Sequence, residues 1–287
     1  MTMKKNEIYQ EDSLTGMRKI PSNSIDIIII DPPYNIGKDF GNNKTKKELK
    51  EYIEWFIPYL KESERVLKES GTMFIYGFSE ILAHISVNVS IEHRWLIWHY
   101  TNKTIPSYKF WQRSHESIIM AWKDEKKRIF NLDEVREPYT DKFLKNSAGK
   151  KRTATEGRFS NGQKETTYKA HDKGALPRDV FKISALAGGA GAKERFFYCE
   201  DCQDSFFNKD KKEHSQHNTF NHPTQKPYHL TEKLILSTKN KEDTTLLIPF
   251  CGSGSELIVA KNQEIDFIAF DINPKYIKMA NAILKKI

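Results

Sequence analysis

Cysteine is scarce in this sequence: three in 287 residues are too few for the disulfide framework that stabilises small secreted domains. No apolar run approaches the ~20 residues that a membrane-spanning helix needs. The opening MTMKKNEIYQ lacks the apolar stretch of a secretory signal. Together these absences predict a reduced, cytoplasmic protein with no membrane partner. Internal repeats are missing too. Acidic residues are in deficit, with 38 Asp and Glu against 46 Lys and Arg, which leaves a net charge of +8 and a pI near 9.1. Clustered Lys and Arg bind phosphates by releasing counterions, so a polyanionic partner is expected. Charge serving solubility alone would give the same composition. The hydrophobic share, 38%, is enough for a packed core and argues against disorder.

The chain does carry strand and helix signals, alternating in two blocks. In the first, residues 24–31 read as a strand and 46–68 as an amphipathic helix with Tyr52, Trp55, Phe56 and Leu60. Further strands are expected at 71–78, 94–100 and 117–122. In the second block, helix 230–238 precedes strand 244–250, helix Ser255–Asn262, strand 266–272 and a closing helix Pro274–Lys286 with Pro at its first turn. This alternation predicts an α/β fold of Rossmann type, a doubly wound, mostly parallel sheet covered on both faces. Residues 1–124 and 221–287 are expected to form its two halves, with 125–220 inserted between them. From Tyr139 to Arg178 there are ten Lys and Arg against four Asp and Glu, few aliphatic residues, and Phe143, Phe159 and Tyr168 among the charges. This basic, loop-rich insertion is expected to contact nucleic acid rather than to be merely solvated. Trp95, Trp98, Trp111 and Trp122 are expected to pack in the core or against strands.

Residues 250–256 read FCGSGSE, directly after a strand and before a helix. Gly252 and Gly254 permit a tight turn and a close backbone approach to a ligand. Nineteen residues after Gly252 stands Asp271, at the end of the next strand, where an acid can accept hydrogen bonds from both hydroxyls of a ribose. The missing third glycine disfavours pyrophosphate. It suits an adenosine cofactor without phosphate, such as S-adenosylmethionine. A tight structural turn is the alternative.

The strand IIII runs straight into Asp31-Pro32-Pro33-Tyr34. A parallel strand presents its C-terminal end to the ligand crevice. The two prolines stiffen the turn, and Pro33 offers no N–H, which leaves the Pro32 carbonyl available. Asp31 places a carboxylate beside that carbonyl, and two acceptors so close match the two hydrogens of an exocyclic amino group. Tyr34 offers a flat face to a base removed from its duplex. A strand-ending turn closed by an Asx hydrogen bond would use the same residues.

Asp31-Pro32-Pro33-Tyr34, His222-Pro223-Thr224-Gln225-Lys226-Pro227 and Pro249-Phe250-Cys251-Gly252-Ser253-Gly254 occur in that order. The chain thereby resembles the DNA amino-methyltransferases, specifically the permuted group often called beta, across its two flanking blocks. The resemblance implies a Rossmann-like class I methyltransferase that moves a methyl group from S-adenosylmethionine to adenine N6 in double-stranded DNA, in a restriction-modification setting with a cognate endonuclease. Asp rather than Ser at position 31 favours adenine over cytosine N4 within that family. The resemblance further implies that Asp31 and Pro32 bind the target amino group, that Pro33 shapes the turn, and that Tyr34 stacks on the base. Phe250, Gly252, Ser253 and Gly254 would line the cofactor, Asp271 would hold its ribose, and Thr224 and Lys226 would help close the pocket. Ile248 departs from the family, which usually has Asp there, and Glu256 stands where small residues are usual. Two other readings are a cytosine-N4 enzyme and a non-catalytic nucleic-acid-binding protein.

One further signal lies in FYCEDCQDSFFNKDKKEHSQH. Cys199-x2-Cys202, eleven intervening residues and His214-x2-His217 approximate a tetrahedral zinc site, with Phe206 packed beneath it. The role expected of such a site is structural, stapling a segment that lacks a core of its own.

Overall fold

The computed structural model describes residues 3–35, 47–102, 106–158, 160–187 and 189–287. Phe159 lies outside them. The chain opens with β1 (Glu7–Gln10), α1 (Ser13–Met17), β2 (Ile25–Ile30), α2 (Leu49–Val66), β3 (Leu67–Gly77), α3 (Ser79–Ser86), β4 (Glu92–His99) and β5 (His115–Trp122). It continues through α4 (Asp141–Asn146) and the short strands β6 (Lys151–Thr153), β7 (Glu156–Gly157), β8 (Ser160–Asn161) and β9 (Glu165–Thr167). β10 (Val180–Lys182) comes next, then β11 (Phe196–Cys199), β12 (Asp204–Phe207) and β13 (Thr219–Phe220). The C-terminal block comprises α5 (Tyr228–Thr238), β14 (Thr245–Ile248), α6 (Ser255–Asn262), β15 (Asp266–Asp271) and α7 (Pro274–Lys286).

Eight strands form one sheet in the order β1-β15-β14-β2-β3-β5-β4-β10. Every pairing is parallel except those of β5, which runs against β3 and β4. β2 sits at the centre and is buried at all six positions, which explains its unbroken apolar run. Successive side chains of a strand point to opposite faces. Ile27 and Ile29 accordingly join Phe74, Leu234 and Leu257 in one core, while Ile28 and Ile30 join Phe56, Leu60 and Met73 in the other. The sheet is therefore covered on both faces. Asp26 is the one charge in β2. Its carboxylate accepts from Lys68 Nζ at 2.8 and 2.9 Å and from the Thr245 N–H at 2.9 Å, so it is paired and ties β2 to β3 and β14.

Chain contacts divide the molecule into two units, Met1–Phe130 with Asp179–Ile287, and Asn131–Arg178. The inserted unit is thus narrower than the 125–220 expected. The reason is that residues beyond Arg178 pack on the larger unit. β10 adds to the main sheet beside β4, and Phe196 and Tyr198 bury themselves against Met279 and Ile283 of α7. Within the smaller unit, β6 pairs with β9 and β7 with β8, and Tyr139 stacks on Phe143 with ring centres 4.7 Å apart.

Trp98 and Trp122 are buried, and Trp95 packs against the core as expected. Trp111 does not: it is 89% exposed, beside the equally exposed Tyr108 and Phe110. It falls in the irregular connection between β4 and β5, beyond the last ladder pair at His99, where no sheet face remains to receive it. No helix among the described residues is long and apolar enough to cross a membrane.

Candidate active site

β2 and β14 are parallel neighbours, with Leu246 beside Ile27 and Leu247 beside Ile28. Their C-terminal ends therefore emerge together, although more than two hundred residues separate them in sequence. Asp31, Pro32, Pro33 and Tyr34 leave β2, and Pro249 through Ser253 leave β14, to line one cavity of about 350 Å³. That volume falls in the ~300–1,000 Å³ range of small-molecule sites. The HPTQKP segment supplies a further wall with His222, Thr224, Gln225 and Lys226, and Asp271 closes the glycine-loop side. Of the residues expected at the cofactor, Phe250, Gly252, Ser253, Asp271, Thr224 and Lys226 all line this cavity. Gly254 stands back from it. With φ 83° it caps α6, and a Cβ there would come within 2.9 Å of Ala280 Cβ, so it is needed for packing.

The ion pair at the base of the cavity is not apparent from sequence. Lys226, 4% exposed, places Nζ 2.7 Å from Asp31 Oδ2 and 3.9 Å from Glu116 Oε2. The ammonium also lies 5.1 Å from the ring centres of Tyr34 and Tyr76, within cation–π range. Burial alone would lower the Lys226 pKa, but the carboxylates of Asp31 and Glu116 outweigh it and hold the ammonium above its ordinary value. The second oxygen, Asp31 Oδ1, is buried with no hydrogen-bond partner among the described residues. A buried acceptor left unmade is costly unless a ligand completes it. Tyr34 is 7% exposed, and its hydroxyl donates to Glu116 Oε2 at 3.0 Å. Burial, then the Asp31 and Glu116 charges, push its pKa well up, so the phenol stays protonated.

On the opposite wall the Asp271 carboxylate builds the glycine turn. Oδ2 accepts from the Gly252 N–H and Oδ1 from the Asn273 N–H, each at 2.7 Å. Asp271 thus has a loop-building role beyond the ribose contact expected of it, and its carboxylate keeps acceptor capacity for a ligand hydroxyl. Gly252 adopts φ 51°, and a Cβ there would lie 2.9 Å from His222 Nε2. Burial, reinforced by the Lys226 charge, pushes the His222 pKa down to about 3. The imidazole is therefore neutral, with Nδ1 accepting from the Thr224 N–H at 3.3 Å. Phe250 packs 6.1 Å from Trp55 and 5.4 Å from Tyr59, which gives the cavity an aromatic flank contributed by α2.

Glu116 is a carboxylate of the site that sequence reasoning misses, and Glu256 is read there only as a departure from the family's small residues. The apolar strand signal covers 117–122, one residue past Glu116, whereas β5 starts at His115 and carries Glu116 inward. An acid adjoining SIIMAW is the available clue. Glu256, in the first turn of α6, is 4% exposed and lines the cavity. Burial and the Asp31 charge push its carboxyl up to about 7. Ile248 is buried at the end of β14, so this strand contributes no acid to the cavity.

The four residues expected as metal ligands also converge, away from this cavity. One ligand atom from each of Cys199, Cys202, His214 and His217 lies within 4.8 Å of the others.

A family model described as DNA methylase matches residues 25–282. The type II methyltransferase M.HpaI of Haemophilus parainfluenzae is 31% identical over 274 residues, covering 94% of this chain and 71% of that protein. The DNA adenine methyltransferase YhdJ of Escherichia coli (strain K12) is 29% identical over 278 residues, covering 95% and 80%. Among solved structures, the cytosine-N4-specific PvuII DNA methyltransferase superposes with a TM-score of 0.63 over 98% of this chain and 86% of its own, at 15% identity. At that identity the likeness is one of fold.

Proposed function

The chain belongs to the DNA methylase family, and from that premise we propose that it transfers a methyl group from S-adenosylmethionine to adenine N6 in double-stranded DNA. The observation that carries this reading is the state of Asp31: one oxygen is pinned by Lys226, and the other is buried with no hydrogen-bond partner among the described residues. The residues present suit the cofactor as well. A turn of two left-handed glycines, a carboxylate at the end of β15 and an aromatic flank at Phe250 fit an adenosine with no phosphate. When bound, S-adenosylmethionine supplies an electrophilic methyl carbon on a cationic sulfur.

An exocyclic amino nitrogen is a poor nucleophile because its lone pair is delocalised into the ring. Asp31 Oδ1 and the Pro32 carbonyl would accept its two hydrogens and favour a more pyramidal nitrogen. They would also stabilise the positive charge that develops as the nitrogen–carbon bond forms and the carbon–sulfur bond breaks, its electron pair going to sulfur. The methylated nitrogen would then pass the proton held by Asp31 Oδ1 to that carboxylate, which releases it to solvent, and so return to a neutral amine. Lys226 keeps the carboxylate oriented and Glu116 keeps the Tyr34 ring in place, so the acceptors need no reorganisation. Holding nitrogen and carbon in line at ~3–3.5 Å supplies much of the remaining acceleration. No enzyme nucleophile is required, and burial pushes the Cys251 thiol well up, which suits it to packing rather than attack.

Adenine is favoured over cytosine by Asp at position 31 and by the likeness to an adenine enzyme. A cytoplasmic location and a cognate restriction endonuclease complete the reading, in keeping with the type II name of M.HpaI. Nucleoside analysis of DNA incubated with the protein and methyl-labelled cofactor tests it. Labelled N6-methyladenine is expected; labelled N4-methylcytosine would replace the base, and unlabelled DNA would reject the activity.

A further inference from the structure

We propose that Cys199, Cys202, His214 and His217 hold a structural zinc ion, and that this ion fixes the ribbon delivering Lys226 to Asp31. The metal site stands on its own geometry; the consequence for Lys226 rests on the function proposed above.

The first argument is dimensional. In a tetrahedral site with Zn–S near 2.3 Å and Zn–N near 2.0–2.1 Å, neighbouring ligand atoms are separated by about 3.3–3.8 Å. Cys199 Sγ lies 3.4 Å from His217 Nδ1, Cys202 Sγ 3.2 Å from His217 Nδ1 and 3.7 Å from His214 Nδ1, and the two Nδ1 atoms are 3.3 Å apart. Three of these four distances fall within the range for such a tetrahedron and the fourth lies just below it, and all four ligand atoms lie within 4.8 Å of one another. A proton can bridge one such pair, whereas a cation at the centre satisfies all four donors together. The two thiols are not joined as a disulfide. Two sulfurs and two imidazoles in a closed tetrahedron select zinc and leave no open position for a reacting ligand, so the ion's role is structural.

The second argument is the support around the ligands. The Cys202 N–H donates to Cys199 Sγ at 3.3 Å, a bond that favours the thiolate a metal needs. Phe206 stacks on the His214 ring at 3.9 Å and 13°, which fixes its orientation. The short His-x2-His spacing is accommodated because residues 211–217 turn tightly, with the His217 N–H donating to the His214 carbonyl at 3.1 Å. That turn brings both Nδ1 atoms to one side.

The third argument connects the site to the cavity. β11, β12 and β13 are two to four residues long, too short to hold together without packing or a staple. β11 carries Cys199 at one end and Phe196 at the other. The Gln225 side chain clamps Phe196 by accepting from its N–H at 3.2 Å and donating Nε2–H to its carbonyl at 2.7 Å. β13 pairs Thr219 with Cys199 and Phe220 with Tyr198, and the chain runs from there into His222 and Lys226. The cluster therefore grips the ribbon whose far end registers Lys226 on Asp31.

The test uses the full chain purified without chelator. Elemental analysis is expected to find about one zinc ion per chain, in line with a four-ligand site, and Cys202→Ser is expected to lose it. Hydrogen exchange across residues 196–226 is then followed before and after chelation. Removal of the ion should speed exchange of the Phe196 amide at least about tenfold, as expected for a local opening that has lost its staple, and zinc re-addition should reverse it. If C202S fails to fold, cobalt substitution of the unaltered chain gives the same answer, through thiolate charge-transfer bands and tetrahedral ligand-field bands. Absence of zinc and of those bands, or a Cys199–Cys202 disulfide in the mass spectrum, overturns the site. Zinc present but exchange unchanged on its removal overturns the link to Lys226. Neither readout requires methyl transfer, so failure of the activity and failure of the metal site are distinguishable.

Discussion

Lys226 is almost inaccessible to solvent, and the carboxylates of Asp31 and Glu116 are what allow it to remain charged. Removing one member of such a pair strands the other as a buried charge. Lys226→Met is therefore expected to destabilise the protein by about 3–5 kcal/mol. The double variant K226M/D31N, which removes the two groups paired at 2.7 Å and leaves Glu116 with its Tyr34 donor, should recover part of that stability in chemical denaturation while remaining inactive. A double variant no more stable than K226M would show that the pair is not coupled. Glu256 gives a second prediction. Its carboxyl titrates near 7, well above the ordinary 4.5, so the folded chain holds a proton that the unfolded chain has released. Its contribution to stability is accordingly complete below about pH 4.5 and declines up to pH 7, by at most about 1.4 kcal/mol per pH unit. A cationic cofactor in the same cavity favours the ionised form. Cofactor binding near pH 7 should therefore release a proton, detected by calorimetry in buffers of different ionisation enthalpy, and Glu256→Gln should abolish that release.

The glycine turn between β14 and α6 is the element on which cofactor binding is proposed to depend. Gly252 is required twice, by its left-handed backbone and by His222 Nε2 lying 2.9 Å from where a Cβ would stand. Gly252→Ala should cost about 1–2 kcal/mol from the backbone alone. It should also abolish the rise in melting temperature that cofactor gives the unaltered protein. Asp271→Ala removes the acceptor of the Gly252 N–H as well as the proposed ribose partner, so the apparent dissociation constant for cofactor should rise strongly in titration calorimetry. Unchanged binding would detach Asp271 from the site. Both segments are legible in sequence because strand, turn and helix signals coincide there: α6 and α7 begin and end where their patterning puts them. β1 is not legible. Its EIYQ is a half-exposed edge strand without the apolar run that marks β2. Glu116 escapes for a related reason, since strand ends are the least marked part of a strand. The ion pair of Lys226 is hidden too, because sequence order does not reveal which carboxylate a lysine will meet.

For the molecule as a whole, the net charge of +8 and the ten Lys and Arg between Tyr139 and Arg178 bear on DNA. The basic character is plain from composition, but the extent of the compact unit is not. Residues 179–220 share that region's loop-rich sequence, yet they bury Phe196 and Tyr198 on α7, a partner that lies far along the chain. If exposed Lys142, Lys145 and Lys150 contact phosphates, replacing all three with Ala should flatten the salt dependence of DNA binding. The log–log slope should fall by roughly 1 for each contact removed, with cofactor affinity unchanged. An unaltered slope would move the DNA contact elsewhere on the surface.

Single-turnover methylation by Asp31→Asn, measured alongside its cofactor affinity, tests the central claim most directly. Asn keeps the shape of the side chain and one acceptor, but it loses the charge that pairs with Lys226 and is proposed to stabilise the amino nitrogen. Methyl transfer should fall by about 10²–10³, comparable to the loss of a preorganised transition-state contact, while cofactor still binds. Transfer at the rate of the unaltered enzyme would contradict the account.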